Sequence, residues 1–186
     1  MVQVVAETGV ADARVAAVCS RAGISTREFY NLYKRKEDCL LAAFHTGAEL
    51  VRREAIRVFA LAEGPWSHRV TVTLGSMFGQ LAANPTFAKF SIVEVPRAGT
   101  QVFEHFDSVV GEFEAVFIES SDRGLDLNLR KDIDPHSLGT YVVGGTLHRL
   151  ARCVRDDRAA ELATLAPEVT SFLVGVLLGY GVDVKD

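Results

Sequence analysis

The sequence predicts an all-α chain with a small N-terminal helix-turn-helix head, residues 1–40, and a larger C-terminal helical body, residues 41–186. Three observations carry this. Apolar residues recur at steps of three, four and seven, while the period-two alternation of strands is nearly absent. Prolines stand at the front of the periodic stretches, where a missing N–H costs nothing. Between Asp12 and Tyr33, a cap, a glycine break and a capping box follow in the order that two short helices and a tight turn require.

The elements are taken in chain order. Val2, Val4, Val5 and Ala6 run into Gly9 as the tail of a helix that lacks a start signal, so further residues, such as a basic arm, are expected before Met1. Asp12 is expected to cap a short helix with Val15, Val18 and Cys19 on one face. Ala22-Gly23-Ile24 then breaks it, since glycine is free to adopt the left-handed conformation of an interhelical turn. Ser25 caps the next helix, Glu28 completes a Ser-x-x-Glu box, and Ile24 and Phe29 occupy the staple positions that fix the exit angle.

The body is read from five apolar stripes. Leu40, Phe44, Val51, Ala55 and Phe59 form the first, and Val70, Leu74, Met77, Phe78 and Leu81 the second. Val102, Phe103, Phe106, Val109, Val110, Phe113 and Phe117 form the third. Leu138, Tyr141, Val142, Gly145 and His148 form the fourth, and Val169, Phe172, Leu173, Val176, Leu177 and Tyr180 the fifth. Pro65, Pro85 and Pro167 lead such stretches, Asp134-Pro135 reads as an N-cap with a first-turn proline, and Gly64 and Ser120 to Asp134 read as connections.

Composition narrows the function classes. An apolar content of 48% over 186 residues is enough to close a sizeable core. Cys19, Cys39 and Cys153 are odd in number and far apart, which signals neither a disulfide framework nor a zinc knuckle and suits a reducing cytoplasm. The longest apolar run, Phe172 to Val182, is shorter than the roughly 20 residues of a membrane span, and no signal-peptide layout opens the chain. Gly-rich phosphate loop, nucleophile elbow, His-Glu-x-x-His and paired Glu-x-x-His are all missing from the sequence. Neither catalysis nor a cofactor or metal is therefore expected.

The net charge of −4 argues against nucleic acid until it is divided along the chain. From Arg14 to Lys36 there are six basic residues against one acid, Glu28. A compact basic segment on an acidic protein fits a DNA-reading head, because phosphates need neutralising only at the contact. If Phe29 and Tyr33 face the core, the opposite side of that helix presents Thr26, Arg27, Tyr30 and Asn31. Arginine pairs bidentately with guanine and asparagine with adenine, while threonine and tyrosine reach a thymine methyl or a phosphate. Lys36 sits at a helix start, where cations are disfavoured, and is read as a phosphate clamp. A packed αα-hairpin that binds nothing fits the same turn.

At these residues the sequence resembles a known family. Gly9, the run Val15-Ala16-Ala17-Val18-Cys19-Ser20-Arg21-Ala22-Gly23-Ile24-Ser25, then Phe29-Tyr30-x-x-Tyr33-x-x-Lys36-Glu37-x-x-Leu40, looks like the N-terminal domain of TetR/AcrR-type transcriptional regulators. The resemblance covers roughly the first quarter of the chain. It implies a dimeric repressor that reads a palindromic operator, holds a small apolar ligand in its body and pairs its last two long helices with those of a second copy. Carried over by position, it implies DNA contacts at Arg14, Ser25, Thr26, Arg27, Tyr30, Asn31, Tyr33 and Lys36. Arg14, Arg27, Asn31 and Arg35 depart from the residues frequent in the family, which leaves the docking mode intact and puts the operator sequence in question.

Six of the eleven phenylalanines, Phe87, Phe90, Phe103, Phe106, Phe113 and Phe117, lie mid-body and together predict an aromatic-lined cavity, although plain core packing accounts for any one of them. Trp66, Met77, Phe78, Tyr141 and His148 are expected to share its wall. Tyr141, Gly145, His148, Val169, Phe172, Leu173, Val176 and Leu177 are the expected dimer face, since Gly144-Gly145 admits a close helix and the last stripe is apolar on more than one side. Packing within one subunit is the alternative. For function as a whole, the competing expectation is a helical small-molecule-binding or interaction protein that does not read DNA sequence.

Overall fold

A computed structural model describes residues 1–124 and 134–179, which form helices and turns and contain no strand. The elements are α1 (Val2–Thr8), α2 (Val15–Ala22), α3 (Thr26–Leu32), α4 (Lys36–Leu61), α5 (Trp66–Ala83), α6 (Pro85–Ala88), α7 (Thr100–Gly124), α8 (Pro135–Arg155) and α9 (Ala166–Gly179). A π-helical segment, Lys89–Glu94, and a 3₁₀ turn, Val95–Arg97, follow α6, and a second 3₁₀ stretch, Ala159–Leu165, leads into α9. The all-α expectation holds. The expected connection from Ser120 is corrected at its start, because α7 continues through Gly124; the rest of that run up to Ile133, and Tyr180, lie outside the described residues.

Local rules account for most boundaries. Gly23 ends α2 at φ 69°, with its N–H turned back to the carbonyls of Cys19 and Ser20. Ser25 Oγ accepts the Glu28 N–H while Glu28 accepts the Ser25 N–H, so the predicted capping box forms. Asp12 does not cap α2. The N-cap is Arg14, with no side-chain cap bond, and Asp12 lies in the turn before it. Asp134 caps α8 by accepting the N–H groups of His136 and Ser137. The π segment was not anticipated; it ends where Pro96, which has no N–H to donate, falls in the 3₁₀ turn.

Two clusters make the core. One lies in the body, built around Trp66, Phe78, Cys153, Leu162, Leu173 and Leu177. The other joins the head to the body: Val5, Phe29, Leu40 and Phe44 pack in the same cluster as Phe90, Val95, Val102 and Phe106. Fully burying side chains such as Leu40 and Phe29 contributes about 1.5–3 kcal/mol each. The head is therefore seated on the body through α4 and the π segment rather than hanging from a linker. Gly47 permits a close approach on α4, since a Cβ there would collide with the Phe87 ring. All three cysteines are free and buried, and burial pushes the Cys39 thiol up from its ordinary value.

The stretch Ala159–Gly179 is apolar and long enough to cross a membrane by length and composition, longer than the run expected from the sequence. Leu162, Leu165, Val169, Leu173 and Leu177 are nevertheless buried against the body, as in a core helix.

Candidate nucleic-acid interface and ligand cavity

The capping box and the burial of Phe29 decide how α3 is presented. With Phe29 1% exposed and Tyr33 half-buried beside it, ring centroids 5.5 Å apart, the other side of α3 faces solvent. Thr26, Arg27, Tyr30 and Asn31 are all exposed there, with the Tyr30 ring edge-on to Phe29. Ser25 and Arg14 are exposed at the ends that flank this face. Leu32, 71% exposed, also projects outward and was not singled out in the sequence.

The basic residues around α3 divide into committed and uncommitted ones. Arg21 pairs with Glu7 at 2.7 Å, and Arg35 pairs with Asp38 at 3.1 Å and donates to Gln101. Lys36 is half-buried and its ammonium donates to the Val10 carbonyl at 3.0 Å, so it ties the α1–α2 turn to the start of α4. Among the described residues, Arg14, Arg27 and Lys34 make no ion pair and are exposed. Lys34 is thus a candidate contact that the sequence reading passed over. Its position after the α3 C-cap was the available signal.

Behind the head, the body holds a partly open cavity of about 350 Å³. Its wall is apolar and comes from α4 (Phe44, Val51, Ala55, Phe59), α5 (Val70, Met77, Phe78), α7 (Phe106, Phe113, Phe117) and α8 (Val142, Leu147), with Phe87 and Ser91 from the α6–π segment. The expected lining residues Met77, Phe78, Phe106, Phe113 and Phe117 are there. Five others are not. Trp66 is buried in the body core, Phe90 points into the head–body cluster, and Phe103 sits 47% exposed at the outer edge of the α7 stripe. Tyr141, 75% exposed, and His148 lie on the outer face of α8.

Sequence reasoning missed the contribution of α4, because its stripe reads as ordinary core until its neighbours are known. It also missed Arg69. This residue lines the cavity, stacks its guanidinium over Phe59 at 4.1 Å and donates to the Phe59 carbonyl at 2.9 Å.

The expected dimer face is partly used up within the chain. Val169, Leu173 and Leu177 are buried in the body core, and Val176 is half-buried against it, because α9 packs on α5. Tyr141, Gly145 and His148 on α8, and Phe172 and Leu178 on α9, remain exposed. Arg149 on α8 pairs with Glu168 on α9 at 3.0 Å.

Two solved structures share this arrangement. The fatty acid degradation regulator FadR from Bacillus halodurans matches with a TM-score of 0.79 and 21% identity over 94% of each chain. The chain shares the all-helical fold of that structure. A second match is the transcriptional regulator FadR from Bacillus subtilis, solved in complex with stearoyl-CoA, with a TM-score of 0.76 and 18% identity over 93% of each chain. No protein-family model and no curated protein matches the sequence. In this fold the exposed α3 face and the cavity are both built on α4, whose 26 residues start at the head and line the cavity through Phe59.

Proposed function

We propose that the chain is a ligand-responsive transcriptional repressor of the cytoplasm, with residues 1–40 as reading head and 41–186 as sensing and dimerising body. One observation carries this reading: the outward row Thr26, Arg27, Tyr30 and Asn31, launched at a fixed angle by the Ser25–Glu28 box, stands on the same helix frame as an apolar cavity. Base-reading side chains need a rigid helix to enter the major groove, and the box with the buried Phe29 supplies that rigidity. Arg14, Arg27 and Lys34 supply positive charge toward the phosphates.

A second copy completes the reader. Two recognition helices one turn of DNA apart, roughly 34–36 Å, match a palindromic operator. The exposed Tyr141, Gly145, His148 and Phe172 are the surface that would pair across the two-fold axis, with the buried α9 residues serving as its support. The cavity takes an apolar ligand, and the stearoyl-CoA held by the Bacillus subtilis FadR favours long acyl chains as the class. Ligand between α4 and α7 would tilt α4 and change the spacing of the two heads. A coupling of about 1–3 kcal/mol is enough to weaken operator binding 5–150-fold.

The test is a mobility-shift titration at two salt concentrations, using DNA flanking the protein's own coding region and a scrambled duplex of equal length. The proposal requires tighter binding to one flanking duplex at both salts. Affinity that is weak and indifferent to sequence would favour a small-molecule-binding protein that does not read DNA.

A further inference from the structure

We infer that the cavity is built for an amphipathic acid, whose apolar chain fills it and whose carboxylate closes on Arg69. This rests on the reading of the cavity as the ligand site and adds the charge of the ligand to it. Among the described residues, the buried side-chain donors without a hydrogen-bond partner are Trp66 Nε1 and Arg69 Nε, one turn apart at the start of α5. Of the two, Arg69 lines the cavity, and it is the one cation among the described residues that does so.

A guanidinium stays charged at any physiological pH, so burial cannot be relieved by losing a proton. Arg69 receives partial compensation from the Phe59 carbonyl at 2.9 Å and the Phe59 ring at 4.1 Å, but makes no ion pair among the described residues. Glu119, the acid on the same wall, has an interaction of its own. Carbonyl and ring are sufficient to tie the end of α4 to the start of α5, yet they leave Nε empty. A carboxylate is the small anion whose two oxygens match the fork of a guanidinium. Toward the head the wall is apolar, with Phe44, Ala48, Val51 and Phe106 lining it. Phe59 and Phe44 both line the cavity, and at 1.5 Å per residue of helix they stand roughly 22 Å apart along α4. A long chain anchored at Arg69 therefore reaches toward the head.

Isothermal titration of the full chain with palmitic acid, methyl palmitate and palmitoyl-CoA tests this, in the wild type and in Arg69→Gln. Loss of a charge-assisted bond is expected to make the ester bind about tenfold more weakly than the acid. In Arg69→Gln the acid should fall to the level of the ester, while the ester keeps its wild-type affinity, which also reports that the variant is folded. Ester or CoA thioester binding as tightly as the acid in the wild type would overturn the inference, as would an acid preference that survives in Arg69→Gln. Binding of the ester without an acid preference leaves the ligand cavity standing and removes only the role of Arg69; failure of every probe to bind removes the cavity as a ligand site and this inference with it.

Discussion

The buried Glu94 carboxylate accepts the backbone N–H of Val10 at 3.0 Å, across 84 positions of sequence. The carbonyl of the same Val10 accepts from Lys36 Nζ at 3.0 Å. One residue of the head is thus held at both its N–H and its carbonyl, by the π segment that carries the cavity residue Ser91 and by the first residue of α4. π-Helical segments inside α structure recur at functional positions, and this one touches both the cavity and the head.

That bracket predicts where coupling is lost. Glu94→Ala leaves a buried N–H unpaired, which costs about 1–3 kcal/mol, whereas Glu94→Gln keeps an acceptor. The ligand-induced drop in operator affinity is expected to shrink toward unity in Glu94→Ala and to survive in Glu94→Gln, measured by fluorescence anisotropy. An equal drop in all three proteins would remove this contact from the path between cavity and head.

The exposed face of α3 predicts two kinds of variant. Arg27→Ala and Asn31→Ala should each cost about 1–3 kcal/mol on the operator and relax base preference at one position. Arg14→Ala and Lys34→Ala should weaken all sequences alike and lower the salt slope by about one unit each. Competition titrations against single-base operator variants distinguish the two; a uniform loss for Arg27→Ala would remove it from base reading.

Ser25→Ala removes the hydroxyl that accepts the Glu28 N–H. Stability is expected to fall by about 1 kcal/mol, with a larger proportional loss of operator binding because α3 loses its fixed launch angle. Ser25→Asp retains an acceptor and should preserve stability. Urea unfolding curves at constant slope supply the measurement.

Acid sensitivity follows from four carboxyls held below their ordinary range, Glu28 by hydrogen bonds from Ser25, Glu7 by its hydrogen bond with Arg21, Glu54 by its hydrogen bond with Arg57 and Asp134 by hydrogen bonds from Ser137. A carboxyl with a lowered folded pKa contributes stability that is fully present above its unfolded value of about 4 and is lost as pH falls through the lowered folded value. Thermal midpoints should therefore be insensitive to these groups between about pH 6 and 8 and should decline below about pH 4. Glu28→Gln should flatten part of that acid limb; an unchanged limb would show that the box does not contribute.

Local chemistry was legible in the sequence, and three-dimensional partnership was not. The Gly23 turn, the Ser25–Glu28 box, the Asp134 cap and the outward row of α3 follow from spacing alone, because each depends on residues within one turn of one another. The bond from Lys36 to Val10 was not legible because its partner comes from another element. Phe103 and Tyr141 share stripes with buried residues, and periodicity cannot say where the edge of a buried face falls. Val169, Leu173 and Leu177 were assigned to a second copy when α5 covers them within the chain. Arg69 escaped notice because a single arginine at the head of an apolar helix resembles a solvated residue until Phe59 is found beneath it.

The central claim is that one frame reads DNA and senses a ligand, and it is tested most directly by the operator dissociation constant with and without saturating long-chain ligand, at one fixed salt concentration. A drop in affinity of 5–150-fold on adding ligand is the predicted result, corresponding to a coupling of about 1–3 kcal/mol. Identical constants in the presence of a ligand that demonstrably occupies the cavity would contradict it.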